Sequence, residues 1–148
     1  MENTNEMRVT KRDGQLEDIA FDKILARVKK LGQEVNIQIN YSSLAMKVID
    51  QLYDKIDTAK IDELAAEQCA SLSTNHPDYG TLAARISISN HQKNTEPSFC
   101  AVMRTLANQI APKTGEPVSY INQEILSVID NHGEEIEAYI NYERDYLF

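Results

Sequence analysis

One short stretch near the start of the chain, VTKRDGQLEDIAFDKI, limits the possible folds more than any other. Its Asp13-Gly14 pair favours a two-residue type I′ turn, because both positions tolerate positive φ. The flanking runs 7–12 and 16–21 are long enough for two short strands. Asp22 is placed to cap the helix that follows, where apolar residues recur at helical spacing. The stretch therefore predicts a β-hairpin that leads directly into a helix.

Further capping signals and apolar spacing predict three more helices in the first part of the chain. Gly32 is expected to end the first helix. Ser42 or Ser43 would begin the second, whose apolar face is expected to continue as far as Ile56. The third helix would be capped at 57–58, and Pro77 suits the first turn of the fourth. A bundle of four helices with a small hairpin is thus predicted, ending near residue 94.

A different region follows the break at Glu96-Pro97. Helices are predicted over 98–110 and 121–131, separated by a turn-rich segment, with a last helical segment over 134–141. From residue 116 onward the sequence has eight acidic residues, and Arg144 is its only lysine or arginine. This part of the chain is therefore strongly acidic.

Charge and composition exclude several classes of function. The 148 residues carry a formal net charge of -8, which argues against general binding to nucleic acid, whose phosphates need a basic face. No apolar run reaches membrane-spanning length, and the N-terminus lacks the pattern of a signal peptide, so a cytoplasmic location is expected. The cations cluster near the start of the chain, where a small anion would bind: Arg8, Lys11, Arg12, Lys23, Arg27, Lys29 and Lys30.

The residues on their own support no catalytic site. Cys69 lies on the apolar face of a predicted helix and Cys100 in an apolar run, so both are interpreted as core. Three scattered histidines give no metal-binding spacing. The GxxxxGK[ST] and GxGxxG motifs are absent. Lys11 and Arg12 beside a helix start could still hold a phosphate, although on these residues alone a solvated strand is the usual explanation.

Three segments together are far more specific: VTKRDGQLEDIAFDKI, MKVIDQLYDKIDTAKIDELAAEQCA and HPDYGTLAARISISNHQK. They resemble successive pieces of the ATP-cone, and most of all the N-terminal ATP-cone region of class I (aerobic) ribonucleoside-diphosphate reductase large (alpha) subunits. The closing YERDYLF is similar to a motif that precedes the catalytic barrel of that family. The resemblance implies an α+β, mainly α fold, in which a helix bundle is capped by a small β-hairpin and followed by connecting helices. It divides the chain into a flexible tail (1–6), the cone (7–95) and a helical connector (96–148).

The resemblance also implies a function, namely allosteric sensing of ATP or dATP, with Mg²⁺, in the pathway that makes deoxyribonucleotides for DNA synthesis. In that family ATP activates the reductase and dATP inhibits it through altered oligomerisation. The implied partners are the rest of the large subunit, the radical-generating small subunit and further copies of the chain, with no nucleic acid and no membrane. The catalytic barrel and cysteines of the family lie beyond the closing motif, so the chain alone is expected to be non-catalytic.

Nucleotide-binding residues are implied position by position. Lys11 and Arg12 match the basic pair after the first strand, Thr58 and Asp62 match positions near base and sugar, and Lys93 matches a phosphate-facing lysine. Taken without the resemblance, the favoured interpretations are plainer: Thr58 as a helix cap, Asp62 as a carboxylate near a helix N-terminus and Lys93 as a solvated cation. No catalytic residue or metal ligand is implied. The full set is Lys11, Arg12, Glu17, Asp18, Ile19, Ala20, Phe21, Asp22, Lys23, Thr58, Asp62 and Lys93.

Two alternatives remain open from the sequence. The chain could be a stand-alone ATP-cone that acts in trans on a reductase, or a degenerate cone that serves only as an interaction module. A cone-bearing repressor with a four-cysteine zinc ribbon is excluded, because the chain has only Cys69 and Cys100.

Overall fold

Two compact units make up the protein in the computed structural model, which describes residues 7–147. The first unit ends at Asn94 and the second begins at Thr95. The tail predicted over 1–6 lies outside the described residues. Within 7–147, no helix is long and apolar enough to cross a membrane.

The first unit is a helix bundle with a three-stranded sheet at one end, which confirms the predicted fold class. The sheet has the order β2-β1-β3, with β1 antiparallel to β2 and parallel to β3. The elements of the first unit are β1 (Arg8–Thr10), β2 (Leu16–Asp18), α1 (Phe21–Gln33), α2 (Tyr41–Ile49), β3 (Ile56–Asp57), α3 (Thr58–Ser71) and α4 (Pro77–Asn94).

The turn between β1 and β2 is wider than the type I′ turn predicted from the sequence. The backbone N–H of Gly14 donates to the Lys11 carbonyl at 2.9 Å, and the N–H of Lys11 donates to the Gln15 carbonyl at 2.8 Å. Gly14 is the only residue of the turn with positive φ, at +82°. Asp13 instead accepts the N–H of Gln15 through its side chain at 3.0 Å. The predicted two-residue type I′ turn was therefore wrong. The chain forms a type I turn followed by a left-handed glycine, so Arg12 is part of the loop.

The strand β3 was not predicted. The helix α2 ends at Ile49, and Lys55 adopts a positive φ of 63°, so the chain turns back before Ile56. Ile56 therefore pairs with Val9 in the sheet instead of extending the second helix. Because α3 begins directly after β3, the start of α3 lies beside the hairpin.

Both ends of helix α1 also differ from the sequence prediction. The helix α1 begins at Phe21, and its N-cap residue Ala20 makes no side-chain capping hydrogen bond. Asp22 lies instead in the first turn, where a carboxylate favours the positive end of the helix dipole. Gly32 does not end the helix, which runs to Gln33. A glycine is required there because a Cβ atom would collide with the ring of Tyr41.

The core of the first unit lies between the helices and the inner face of the sheet. Cys69 is fully buried within it, and burial raises the pKa of its thiol to about 12, so the thiol is unreactive as predicted. The fully buried residues with the largest side chains are Leu44, Ile56, Leu82, Ile86, Val28, Val48 and Cys69.

The second unit contains two helices, with a short hairpin between them along the chain, and a final 3₁₀ helix. Residues 121–131 and 134–141 were predicted as separate helices, but a single helix, α6, spans them. Gly133 lies within α6, where an added Cβ would be 2.6 Å from the sulfur of Cys100. The elements of this unit are α5 (Phe99–Ala107), β4 (Gln109–Ile110), β5 (Pro117–Val118), α6 (Gln123–Tyr139) and a 3₁₀ helix (Tyr142–Leu147).

Candidate nucleotide-binding site

A cavity of about 870 Å³ opens between the hairpin, α1, the start of α3 and the end of α4. Its volume lies in the range typical of sites for small molecules and cofactors. The hairpin with the adjacent α1, and the more distant α3 and α4, therefore contribute to one site. It is lined by Val9, Lys11, Arg12, Asp13, Gln15, Leu16, Glu17, Asp18, Ile19, Ala20, Lys23, Ile24, Arg27, Val28, Thr58, Ile61, Asp62, Ala65 and Lys93.

Glu17 lies between two lysines at the hairpin side of this cavity. One carboxylate oxygen accepts a hydrogen bond from Lys23, and the other is 2.9 Å from the ammonium of Lys11. Hydrogen bonds from Lys23 and Lys11 lower the pKa of Glu17 from 4.5 to about 2. The stability that the pairs contribute is therefore present above pH 4.5 and is lost as the pH falls through about 2.

Asp62 is the centre of a second charged group, deeper in the site. Asp62 is only 7% exposed, so its buried carboxylate needs a charged partner. Arg27 is this partner and binds as a fork, with Nε 3.0 Å from Oδ1 and Nη2 3.0 Å from Oδ2. Arg12 adds a longer contact of 3.4 Å to Oδ2. Helix α1 and the hairpin loop thus both bind the same carboxylate on α3.

Arg12 also connects the hairpin loop to the end of α4. Its Nη2 donates to Asn90 Oδ1 at 2.7 Å, and its Nε donates to Asn94 Oδ1 at 2.6 Å. Asn90 in turn donates to the Ala59 carbonyl at 3.2 Å, near the start of α3. These bonds fix the loop over the site, since the hairpin turn, α3 and α4 share one polar network.

Lys93 completes the positive lining from the last turn of α4. Desolvation lowers the pKa of its ammonium, and the neighbouring positive charges of Arg27, Arg12 and Lys30 lower it further, against the opposing effect of Asp62. The folded protein therefore disfavours the charge on this lysine when no anion is bound.

A family model described as "ATP cone domain" matches residues 7–94. The chain belongs to the ATP-cone family. The first unit is accordingly a nucleotide-binding regulatory domain.

The chain is also similar over nearly its whole length to ribonucleoside-diphosphate reductase large subunits. It is 40% identical to the large subunit of Caenorhabditis elegans over 149 residues, which covers 100% of the chain and 19% of that protein. It is 40% identical over 143 residues to the large chain of Schizosaccharomyces pombe and to the large subunit of Monkeypox virus, covering 96% of the chain and 18% of each relative. The chain thus spans about a fifth of the length of these relatives.

Most of the ATP-cone residues predicted from the sequence come together in the cavity. Phe21 and Asp22 are the exceptions, because neither lines it; Phe21 is 45% exposed at the start of α1. The residues that do line it are Lys11, Arg12, Glu17, Asp18, Ile19, Ala20, Lys23, Thr58, Asp62 and Lys93.

The prediction of ATP-cone site residues omitted Arg27, the hairpin residues Asp13, Gln15 and Leu16, and an apolar wall. Arg27 could have been found from helical spacing, since it follows Lys23 by four residues and so shares its helix face. The apolar wall gives no such signal, because its residues look like ordinary core positions in the sequence. It consists of Val9, Ile24, Val28, Ile61 and Ala65.

Proposed function

We propose that the chain is the ATP- and dATP-sensing activity domain of a ribonucleoside-diphosphate reductase large subunit. One observation carries the proposal: five cations against four carboxylates line one cavity, a formal local charge of +1 in a protein whose net charge is -8. A positive cavity on an acidic protein attracts an anionic ligand of matching size. The five are Lys11, Arg12, Lys23, Arg27 and Lys93.

The charges of the cavity suggest where each part of the nucleotide would bind. Lys11, Lys23 and Lys93 would neutralise the triphosphate. Because Glu17 pairs with two of these lysines, a phosphate would have to replace its carboxylate. Backbone groups near Asp18 would meet the edge of the adenine, and the apolar wall would contact its face.

Asp62 and Thr58 would contact the sugar. A carboxylate accepts a hydrogen bond from a hydroxyl, and such a bond distinguishes a ribose from a deoxyribose. This contact would supply the differential affinity that any switch between ATP and dATP requires.

Mg²⁺ would enter with the phosphates. Among residues 7–147, no group of three or more His, Cys, Asp or Glu side chains could hold a metal ion. Mg²⁺ commonly binds through phosphate oxygens and water with few protein ligands, and that mode fits this cavity.

In the whole protein, ATP would maintain activity and dATP would inhibit by changing how large subunits associate. A ligand shifts such an equilibrium only by its differential affinity for the two states. The partners would be the rest of the large subunit, the small subunit and other copies of the chain.

Calorimetric titration with ATP and dATP in the presence of Mg²⁺, with particle size measured on the same samples, tests the proposal. We expect saturable binding of both nucleotides and larger particles with dATP. Lys11→Ala and Asp62→Asn should each weaken binding, whereas Lys113→Ala, in the second unit, should leave it unchanged.

Two results would count against the proposal. Unchanged affinity in both site variants would show that the nucleotide binds elsewhere. A folded chain that binds neither nucleotide would indicate a degenerate cone that serves as an interaction module.

A further inference from the structure

We infer that Arg27 determines sugar specificity by holding the carboxylate of Asp62 in the orientation that accepts a sugar hydroxyl. Arg27 acts here as a positioning residue. The inference rests on the proposed function, because it assigns the regulation of the same cavity.

The geometry leaves one carboxylate oxygen of Asp62 with spare capacity. A carboxylate oxygen can accept two hydrogen bonds. Oδ2 receives Arg27 Nη2 at 3.0 Å, Arg27 Nε at 3.3 Å and Arg12 Nη2 at 3.4 Å, whereas Oδ1 receives, among residues 7–147, only Arg27 Nε, at 3.0 Å. Asp62 lines the cavity, so Oδ1 keeps one acceptor position for a ligand hydroxyl.

Arg27 is itself held in place, which fixes the plane of the carboxylate. Its Nη2 also donates to Ser89 Oγ on α4 at 3.0 Å. The side chains of Arg27 and Asp62 are 21% and 10% exposed, so water competes little for their bonds. A planar guanidinium orients a carboxylate through two parallel bonds, which a lysine cannot do.

The bonds of Arg27 also argue against a primary role in phosphate binding. Its Nε and Nη2 are both used by Asp62, and Nη2 is shared with Ser89. Both bidentate edges of the guanidinium include Nη2, whose two N–H groups are in use, so a phosphate could be held only through Nη1. Arg12 is a weaker candidate for orienting Asp62, because its shorter bonds go to Asn90 and Asn94.

The test compares four ligands by calorimetry on the whole chain: ATP, dATP, 3′-deoxy-ATP and inorganic triphosphate. In the wild type, the affinities for ATP and for at least one deoxynucleotide should differ by a ratio of about 3 to 10, which corresponds to the free energy of one hydrogen bond. Arg27→Lys keeps the charge but loses the fork, so it should reduce this ratio to nearly 1 with little change for inorganic triphosphate. Lys30→Gln, one turn along α1 and outside the cavity lining, should keep the ratio.

Ser89→Ala provides a milder variant in case Arg27→Lys does not fold. It removes only the anchor of Arg27 and should shift the ratio in the same direction by a smaller factor. If Arg27→Lys is unfolded, an unchanged ratio in Ser89→Ala overturns the inference.

Three other outcomes would also overturn it. A wild-type ratio near 1 for both deoxynucleotides would show that Asp62 does not read the sugar. Retention of the wild-type ratio by a folded Arg27→Lys would show that the fork is not needed. An equal loss of affinity for inorganic triphosphate and ATP in Arg27→Lys would make Arg27 a phosphate ligand. Absence of all nucleotide binding by the wild type would instead refute the proposed function itself.

Discussion

Replacing Lys93 by methionine is expected to cost the first unit less stability than the loss of another last-turn lysine, and to weaken its affinity for a triphosphate. The pKa of Lys93 is lowered in the folded protein by desolvation and by Arg27. In the pH range between this lowered pKa and 10.5, the unfolded chain binds more protons than the folded one, so the free energy of unfolding rises with pH there. At neutral pH the fold therefore disfavours this charge, and removing it should offset the loss of about 0.3–1 kcal/mol of helix-dipole stabilisation that a last-turn lysine supplies.

The size of the affinity loss follows from the contacts that the ammonium would make. A hydrogen bond to a charged group contributes about 1.5–3 kcal/mol, which corresponds to a factor of about 10 to 150 in affinity. Because Lys93 is exposed at the end of α4 and solvent screens its charge, we expect a value at the lower end, about 10-fold.

Urea denaturation, with and without inorganic triphosphate, and calorimetry with the same ligand would measure both effects. Lys47→Met is the matched control, since Lys47 also lies in the last turn of a helix, α2, but outside the cavity lining. It should lose about 0.3–1 kcal/mol of helix-dipole stabilisation and bind triphosphate normally.

A fall in the stability of Lys93→Met equal to that of the control would refute the electrostatic reasoning. Wild-type affinity in Lys93→Met would show that this lysine does not face the phosphates.

Three further predictions concern other parts of the chain. Glu17→Gln should raise the affinity for inorganic triphosphate at least about twofold in calorimetry, because its carboxylate competes for two lysines, while Asp18→Asn should have a smaller effect. Gly14→Ala should lower the melting temperature through a loss of about 1–2 kcal/mol, because Gly14 has a φ of +82°; an equal melting temperature would contradict this backbone assignment. Gly133→Ala should destabilise α6 by about 1–3 kcal/mol through contact with Cys100, as hydrogen exchange would show, and should become neutral or stabilising in a Cys100→Ala background. The same loss in both backgrounds would exclude that contact as the cause.

Local signals predicted much of the secondary structure. Pro77 begins α4 as the sequence suggested, and Ser98, where the next helix was predicted to start, caps α5 through its hydroxyl. These signals work because a cap or a first-turn proline acts on neighbours within a single helical turn. The break predicted between 131 and 134 was wrong for the opposite reason: Gly133 lies within α6 and admits a sulfur atom from another helix.

The sequence by itself determined that cations cluster near a hairpin at the start of the chain and that a helix bundle follows this hairpin. It also carried the resemblance that led to most of the site residues. These properties depend on residue types and spacing along the chain, which the sequence contains directly.

Only the tertiary structure decided how those residues meet. Arg27 binds Asp62 across 35 positions, and Arg12 reaches Asn94 across 82. Ile56 forms a strand because β1 lies beside it, although its own neighbours suggested a helix. Contacts at such separations depend on how the helices and the sheet pack against one another, and no local pattern records that packing.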